Sequence, residues 1–162
     1  MVTRILTLLR HGDALTAMPG AGDYHRQLSE RGTDDIRRLL KKCLHLNLRA
    51  DWIYASPSAR TRSSARPFES AWKCLSIEDA ELYLAHEDQL LNTLRQTPSD
   101  VAHVLMVGYN PGLSYLASIL NNEQQLIELP TAALVSFQTT TEWSNLAHCS
   151  AKLTLKLAPD DY

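Results

Sequence analysis

The sequence predicts an α/β protein built as one domain. Three observations predict it: β-like and helix-like patterns alternate along the chain, strand-like runs end in turn residues that open helices, and 162 residues suffice for a single core. No internal repeat or low-complexity stretch interrupts the alternation.

The apolar run at residues 5–9, ending at Arg10-His11-Gly12, is the first strand. The 13–27 stretch holds Pro19-Gly20-Ala21-Gly22, which a helix does not tolerate, so it is a loop expected to lie over the site. Ser29 suits the N-cap of a helix in which Ile36, Leu39, Leu40, Cys43 and Leu44 form the apolar face and Arg37, Arg38, Lys41 and Lys42 a solvated one. Trp52-Ile53-Tyr54-Ala55 is a short strand ended by Ser56-Pro57, and a helix follows from Ala59 to about Lys73. A weaker strand is expected at 75–77 and a helix at 87–96 with Leu90, Leu91 and Leu94 inward. Residues 101–107 form a nearly continuous apolar run, the pattern of a central strand buried on both faces. Pro111 then suits the first turn of a helix through Leu120, and two β-like runs, 133–139 and 151–157, complete the sheet.

Composition narrows the function. Sixteen basic against eighteen acidic residues give no general reason to bind nucleic acid or an anionic membrane. Three cysteines without a Cys-x-x-Cys pair argue against a disulfide framework or thiolate metal site and fit a reducing, cytoplasmic setting. The apolar stretch at the N-terminus is too short for a signal peptide or a membrane span. Besides His11, the histidines His25, His45, His86, His103 and His148 lack ligand spacing, so neither a metal nor another cofactor is expected. No Gly-x-Ser-x-Gly elbow points to a serine hydrolase.

Three strand ends carry chemistry: Arg10-His11-Gly12, Ser56-Pro57-Ser58-Ala59-Arg60 and Gly108-Tyr109-Asn110-Pro111-Gly112. In a doubly wound sheet such ends converge where ligands bind. A neutral imidazole is a competent nucleophile, and a guanidinium holds phosphate on two oxygens. Arg60, in the first turn of its helix, adds charge where free N–H groups already favour an anion. His11 is therefore the candidate nucleophile, Arg10 and Arg60 the phosphate clamp, and the Gly12 and Asn110 backbones further donors.

With Leu9-Arg10-His11-Gly12-Asp13-Ala14, Arg26-Gln27-Leu28-Ser29-Glu30-Arg31-Gly32, Ser56-Pro57-Ser58-Ala59-Arg60 and Val107-Gly108-Tyr109-Asn110-Pro111-Gly112-Leu113 in order, the chain resembles the histidine phosphatase superfamily. It is most similar there to the small SixA-type phosphohistidine phosphatases. The resemblance implies a phosphoglycerate mutase-like, three-layer α/β/α sandwich with a mainly parallel sheet. It also implies that His11 carries phosphate as an intermediate and that Arg10 and Arg60 bind the phosphoryl group.

Two departures matter. Tyr109 stands where the family has a second histidine; a tyrosine can donate a neutral hydrogen bond but supplies no cation, a loss worth on the order of 10²–10³ in rate. The mutases and esterases of the family carry a glutamate acid in a Gly-rich segment, and Glu78, Asp79, Glu81, Glu87 and Asp88 do not reproduce that pattern. A protonated imidazole leaves more readily than an alcohol, so the missing acid favours a phosphohistidine substrate. Asp13 has two readings, a functional one in which it orients His11 or handles water and a structural one, and Ser63 and Ser64 fall where the family often has a polar residue near the site.

The expected function is hydrolysis of phosphohistidine on a protein partner such as a histidine phosphotransfer domain. Two alternatives stay open: a small-molecule phosphomonoesterase, and a non-catalytic phosphate or phosphoprotein binder.

Overall fold

A computed structural model describes residues 1–162. Six strands form one sheet: β1 (Arg4–Arg10), β2 (Trp52–Ala55), β3 (Leu75–Glu78), β4 (His103–Gly108), β5 (Leu134–Thr139) and β6 (Lys152–Leu157). Their order is β3-β2-β4-β1-β5-β6, parallel from β3 to β1, with β5 and β6 antiparallel at one edge. Four helices cover it: α1 (Glu30–His45), α2 (Ala59–Trp72), α3 (Glu87–Arg95) and α4 (Gly112–Leu120).

Alternation along β1 divides the core. Leu6 and Leu8 face a cluster shared with Leu90, Leu91 and Leu94 of α3 and Leu113, Leu116 and Leu120 of α4. Leu9 faces the other way, onto Ile36, Leu39 and Cys43 of α1 and Phe68 and Trp72 of α2. This is the three-layer sandwich, with α3 and α4 on one side and α1 and α2 on the other.

Ser29 caps α1 as its sequence predicts, its Oγ accepting from the Gly32 N–H at 3.0 Å. Of the predicted apolar face, Leu40 is only half-buried, at the edge of the cluster under α1 and α2, and Leu44 is exposed. Of the predicted solvated face, Arg38 instead pairs with Asp35 and stacks on the Tyr162 ring. Pro111 stands just ahead of α4, whose first helical residue is Gly112. β4 begins at His103, two residues later than the apolar run, and all six of its residues are buried.

Because β1, β2 and β4 are adjacent and parallel, their carboxyl ends stand side by side. Arg10 is registered beside Gly108, and Ala55 beside Val107. That edge carries all three chemistry-bearing strand ends.

Candidate active site

His11 leaves the end of β1 nearly buried, at 7% exposure. Its Nδ1 lies 2.7 Å from the carbonyl oxygen of Gly12, which can only accept, so Nδ1 carries the proton. Nε2 is therefore a free lone pair, and the Arg60 Nε–H points at it from 3.4 Å. Burial, opposed by the Gly12 hydrogen bond and reinforced by the charges of Arg60, Arg10 and Arg26, lowers the His11 pKa to about 4. The imidazole is neutral at pH 7, the state a nucleophile requires.

The 11–13 turn is held from below. The Gly12 N–H donates to Ser64 Oγ at 3.0 Å, and that hydroxyl donates to the Arg60 carbonyl at 2.8 Å, joining the β1 turn to the first turns of α2. Gly12 is thus engaged within the fold, and Ser64 is the polar residue that its place after Arg60 suggested. A Cβ on Gly32 would meet the Asp13 carbonyl oxygen at 2.1 Å, so α1 can approach the turn only with glycine there. Asp13 accepts from Ser29 Oγ at 2.6 Å and pairs with Arg31 at 3.0 Å; the Ser29 bond, more than the cation, lowers its pKa. Of its two readings the structural one holds, and the orienting group for His11 is the Gly12 carbonyl.

Arg60 is nearly buried and saturated on one side. Its Nη1 donates to the Asp23 carbonyl and its Nη2 to Asp23 Oδ2, each at 2.9 Å. Gly20 and Gly22, at φ of 80° and 75°, let the 13–27 loop double back over the site, as its composition predicts, and deliver Asp23. Asp23 also receives the Tyr83 hydroxyl at 2.5 Å and the Arg26 guanidinium at 3.2 Å. These bonds, Tyr83 foremost, lower its pKa to about 2.

Arg10 departs to the other side of the sheet. Side chains alternate along a strand, so Arg10 shares the face of Leu6 and Leu8 and reaches towards α4. Its Nη1 donates to the Leu129 carbonyl at 3.1 Å, while its buried Nε has no partner. The side chain of Asn110 donates to the same carbonyl at 2.8 Å and accepts from Ser114 Oγ at 2.8 Å. Arg10 and Asn110 line one wall of a cavity of about 650 Å³ with Ser114, Tyr115, Leu126 and Leu129.

Tyr109 lies beside His11, its ring 5.5 Å away edge-on, and beneath Arg60, whose guanidinium carbon sits 4.7 Å from the ring centre. Its hydroxyl faces elsewhere. It donates within a buried cluster, 2.7 Å from Ser56 Oγ and 2.5 Å from Ser58 Oγ, with Thr61 Oγ1 at 3.3 Å. The neutral hydrogen bond expected towards a phosphoryl group is spent inside the fold, and Tyr109 offers Arg60 a stacking surface instead.

The acids considered as proton donors lie elsewhere. Glu78 is bound by Arg62 at 2.6 Å, and Asp79 caps a short 3-10 turn. No group of three or more His, Cys, Asp or Glu side chains could hold a metal ion.

Sequence reasoning missed Asp23, Tyr83 and the Ser56, Ser58 and Thr61 hydroxyls. Asp23 had a signal: an acid three residues before Arg26, in a Gly-rich loop expected over a cationic site, has guanidinium partners within reach. The hydroxyl cluster had none, because it forms only when β2 and β4 are known to be neighbours.

A neutral histidine facing a buried arginine, at the carboxyl edge of parallel strands, gives an α/β protein with an arrangement able to bind an anion beside a nucleophile. The model of the histidine phosphatase superfamily (branch 1) matches residues 6–83. A candidate phosphohistidine phosphatase SixA from Nakamurella multipartitia is 25% identical, with 98% of each chain covered and a TM-score of 0.84. One from Agrobacterium tumefaciens, also 25% identical, covers 96% of this chain and 98% of its own at 0.82. The protein histidine phosphatase SixA in complex with tungstate shares the fold at a TM-score of 0.81 and 21% identity, with 96% of this chain and 97% of its own covered. Curated protein sequences gave no match. The family model and the SixA-like structures support placing the chain with the histidine phosphatase superfamily, and it is similar to the SixA type.

Proposed function

We propose that the protein hydrolyses phosphohistidine on a protein partner, with His11 as nucleophile. His11 Nε2 attacks phosphorus, the P–N bond to the substrate imidazole breaks, and the departing ring takes a proton from solvent. Water then attacks phospho-His11, releasing phosphate and restoring the free imidazole. Arg60 stabilises the phosphoryl oxygens, whereas Arg10, held on the α4 side by the Leu129 carbonyl, does not join Arg60 in the clamp that the sequence predicts.

The observation that carries this reading is the His11 tautomer. With Nδ1–H committed to Gly12, the lone pair of a neutral ring faces a guanidinium N–H, where a phosphoryl group would bridge the two. A protein substrate is supported by exposed apolar side chains: Leu15 and Met18 on the 13–27 loop, Leu84 after Tyr83, and Tyr115 of α4 with Leu126 beside the cavity. A small phosphomonoester would gain nothing from such side chains.

One observation favours a second reading. With the Tyr109 hydroxyl turned into the fold, the site has no donor in place of the family's second histidine, and a phosphoprotein binder without turnover would need none.

The deciding experiment incubates the protein with a phosphohistidine-bearing protein and, separately, with an aryl phosphate, using His11→Ala as control. The proposal expects release of phosphate from phosphohistidine, acid-labile label on His11 in quenched reactions, and no activity in the folded variant. Label on another residue overturns the mechanism. Protection against melting by phosphate without turnover leaves the binder.

A further inference from the structure

Of the five N–H donors of Arg60, all in one plane, four form two edges: an end formed by Nη1 and Nη2, and a side formed by Nε and the remaining Nη2–H. The end edge is occupied by one residue, with Nη1 on the Asp23 carbonyl and Nη2 on Asp23 Oδ2. The side edge faces His11, since Nε–H points at Nε2 from 3.4 Å. Below, the Tyr109 ring covers one face of the guanidinium. A plane with one face on a ring and one edge in a fork has no rotation left.

We propose that Asp23 is a positioning residue of this site: by taking the end of the Arg60 guanidinium, it turns the side edge towards the phosphoryl group carried on His11. The inference rests on the proposed role of His11 and assigns to Asp23 the work of aiming the cation rather than touching the substrate. The carboxylate is fixed for this task from two further directions. Tyr83 donates to Oδ2 from the segment before α3, and Arg26 pairs with Oδ1 from the Asp23 loop itself. Arg26 and Arg60 together balance the negative charge, so an incoming phosphate meets a net cationic site. Three of the residues holding the plane, Asp23, Tyr83 and Tyr109, come from segments distant in sequence.

The same contact allows an opposite account, in which Asp23 is a built-in competitor that phosphate must expel. The two predict opposite signs. A positioning Asp23 makes Asp23→Ala bind inorganic phosphate about tenfold more weakly, with Asp23→Asn in between because its carbonyl oxygen still accepts from Nη2. A competing Asp23 makes Asp23→Ala bind more tightly.

The test titrates wild type, Asp23→Ala, Asp23→Asn and Arg60→Ala with inorganic phosphate by calorimetry and follows the Arg60 Nε–H resonance by 15N NMR. Expected are a slowly exchanging Arg60 Nε–H in wild type, its loss in Asp23→Ala, its partial return in Asp23→Asn and the graded weakening above. Equal or tighter phosphate binding in Asp23→Ala overturns the proposal, as does an Nε–H signal indifferent to Asp23. Phosphate binding that ignores Arg60→Ala strikes at the proposed phosphatase site instead, and the Nε–H resonance still decides on Asp23.

Discussion

At the residue scale, Tyr109 shows how one substitution changes a site without emptying it. The phenol is longer than an imidazole, and at 4% exposure its ring passes beneath Arg60 to place oxygen among Ser56, Ser58 and Thr61. Tyr109→Phe keeps the stacking ring and removes only that oxygen. It is expected to cost about 1–3 kcal/mol of stability, from hydroxyls left short of a partner, and to leave phosphate affinity within twofold. Tyr109→His places an imidazole beside His11 and is expected to raise turnover of phosphohistidine by roughly one to three decades. Because the shorter ring abandons the hydroxyl cluster and leaves a void, it should also cost on the order of 2–4 kcal/mol. Urea unfolding and phosphate release measured on both variants check the pair. A loss of phosphate affinity in Tyr109→Phe would mean that the hydroxyl reaches the ligand after all. The identity of this position was legible in the sequence, because Tyr109 ends an apolar run. Its hydroxyl's direction was not, since that depends on serines fifty residues away.

At the element scale, what the sequence revealed follows its local periodicity. The 3-4-7 spacing of α1, the Ser29 cap, and the strand-turn-helix succession at Ser56 and Gly108 are local patterns, and all four helices and six strands stand where those patterns put them. The sharing of work between Arg10 and His11 was not local. They are neighbours in sequence, yet β1 alternation sends Arg10 towards α4 while His11 meets α2. Docking of elements sets the site as much as the side chains do, and Gly32 is the place to test it. With a Cβ 2.1 Å from the Asp13 carbonyl, Gly32→Ala must push α1 away from the 11–13 turn. The expectation is a loss of about 3 kcal/mol or more, together with weakened phosphate binding although residue 32 touches no ligand. Ser29→Ala removes only the cap and its bond to Asp13, and should cost about 1 kcal/mol with the site intact. If calorimetry shows Gly32→Ala binding phosphate as wild type does, α1 is not what shapes the turn.

At the scale of the whole molecule, two buried histidines make stability depend on pH. His103 sits within the sheet, its Nε2 2.7 Å from Thr7 Oγ1, which is in turn 2.7 Å from Ser136 Oγ; burial lowers its pKa to about 4, as it does for His11. Both rings are neutral in the fold, whereas in the unfolded chain each takes a proton near pH 6.5. Between about pH 6.5 and 4 the unfolded state therefore binds more protons, and stability falls as the solution is acidified. Above pH 6.5 both contributions are fully present. With two groups the slope reaches at most about 2.7 kcal/mol per pH unit. Asp23, held near 2, adds its own loss only at lower pH, once the unfolded carboxylate begins to protonate around 4. His11→Ala and His103→Ala should each remove about half of the slope between pH 6.5 and 4, and their pairing should flatten it, while Asp23→Asn leaves that window unchanged. Denaturant midpoints measured across pH 4–8 on these variants read the slopes directly. A wild-type curve flat from pH 6.5 to 4.5 would mean that both rings take up their protons in the fold as readily as in the unfolded chain. His11 would then not be held neutral by the fold, and the structural basis for its readiness as a nucleophile would be lost.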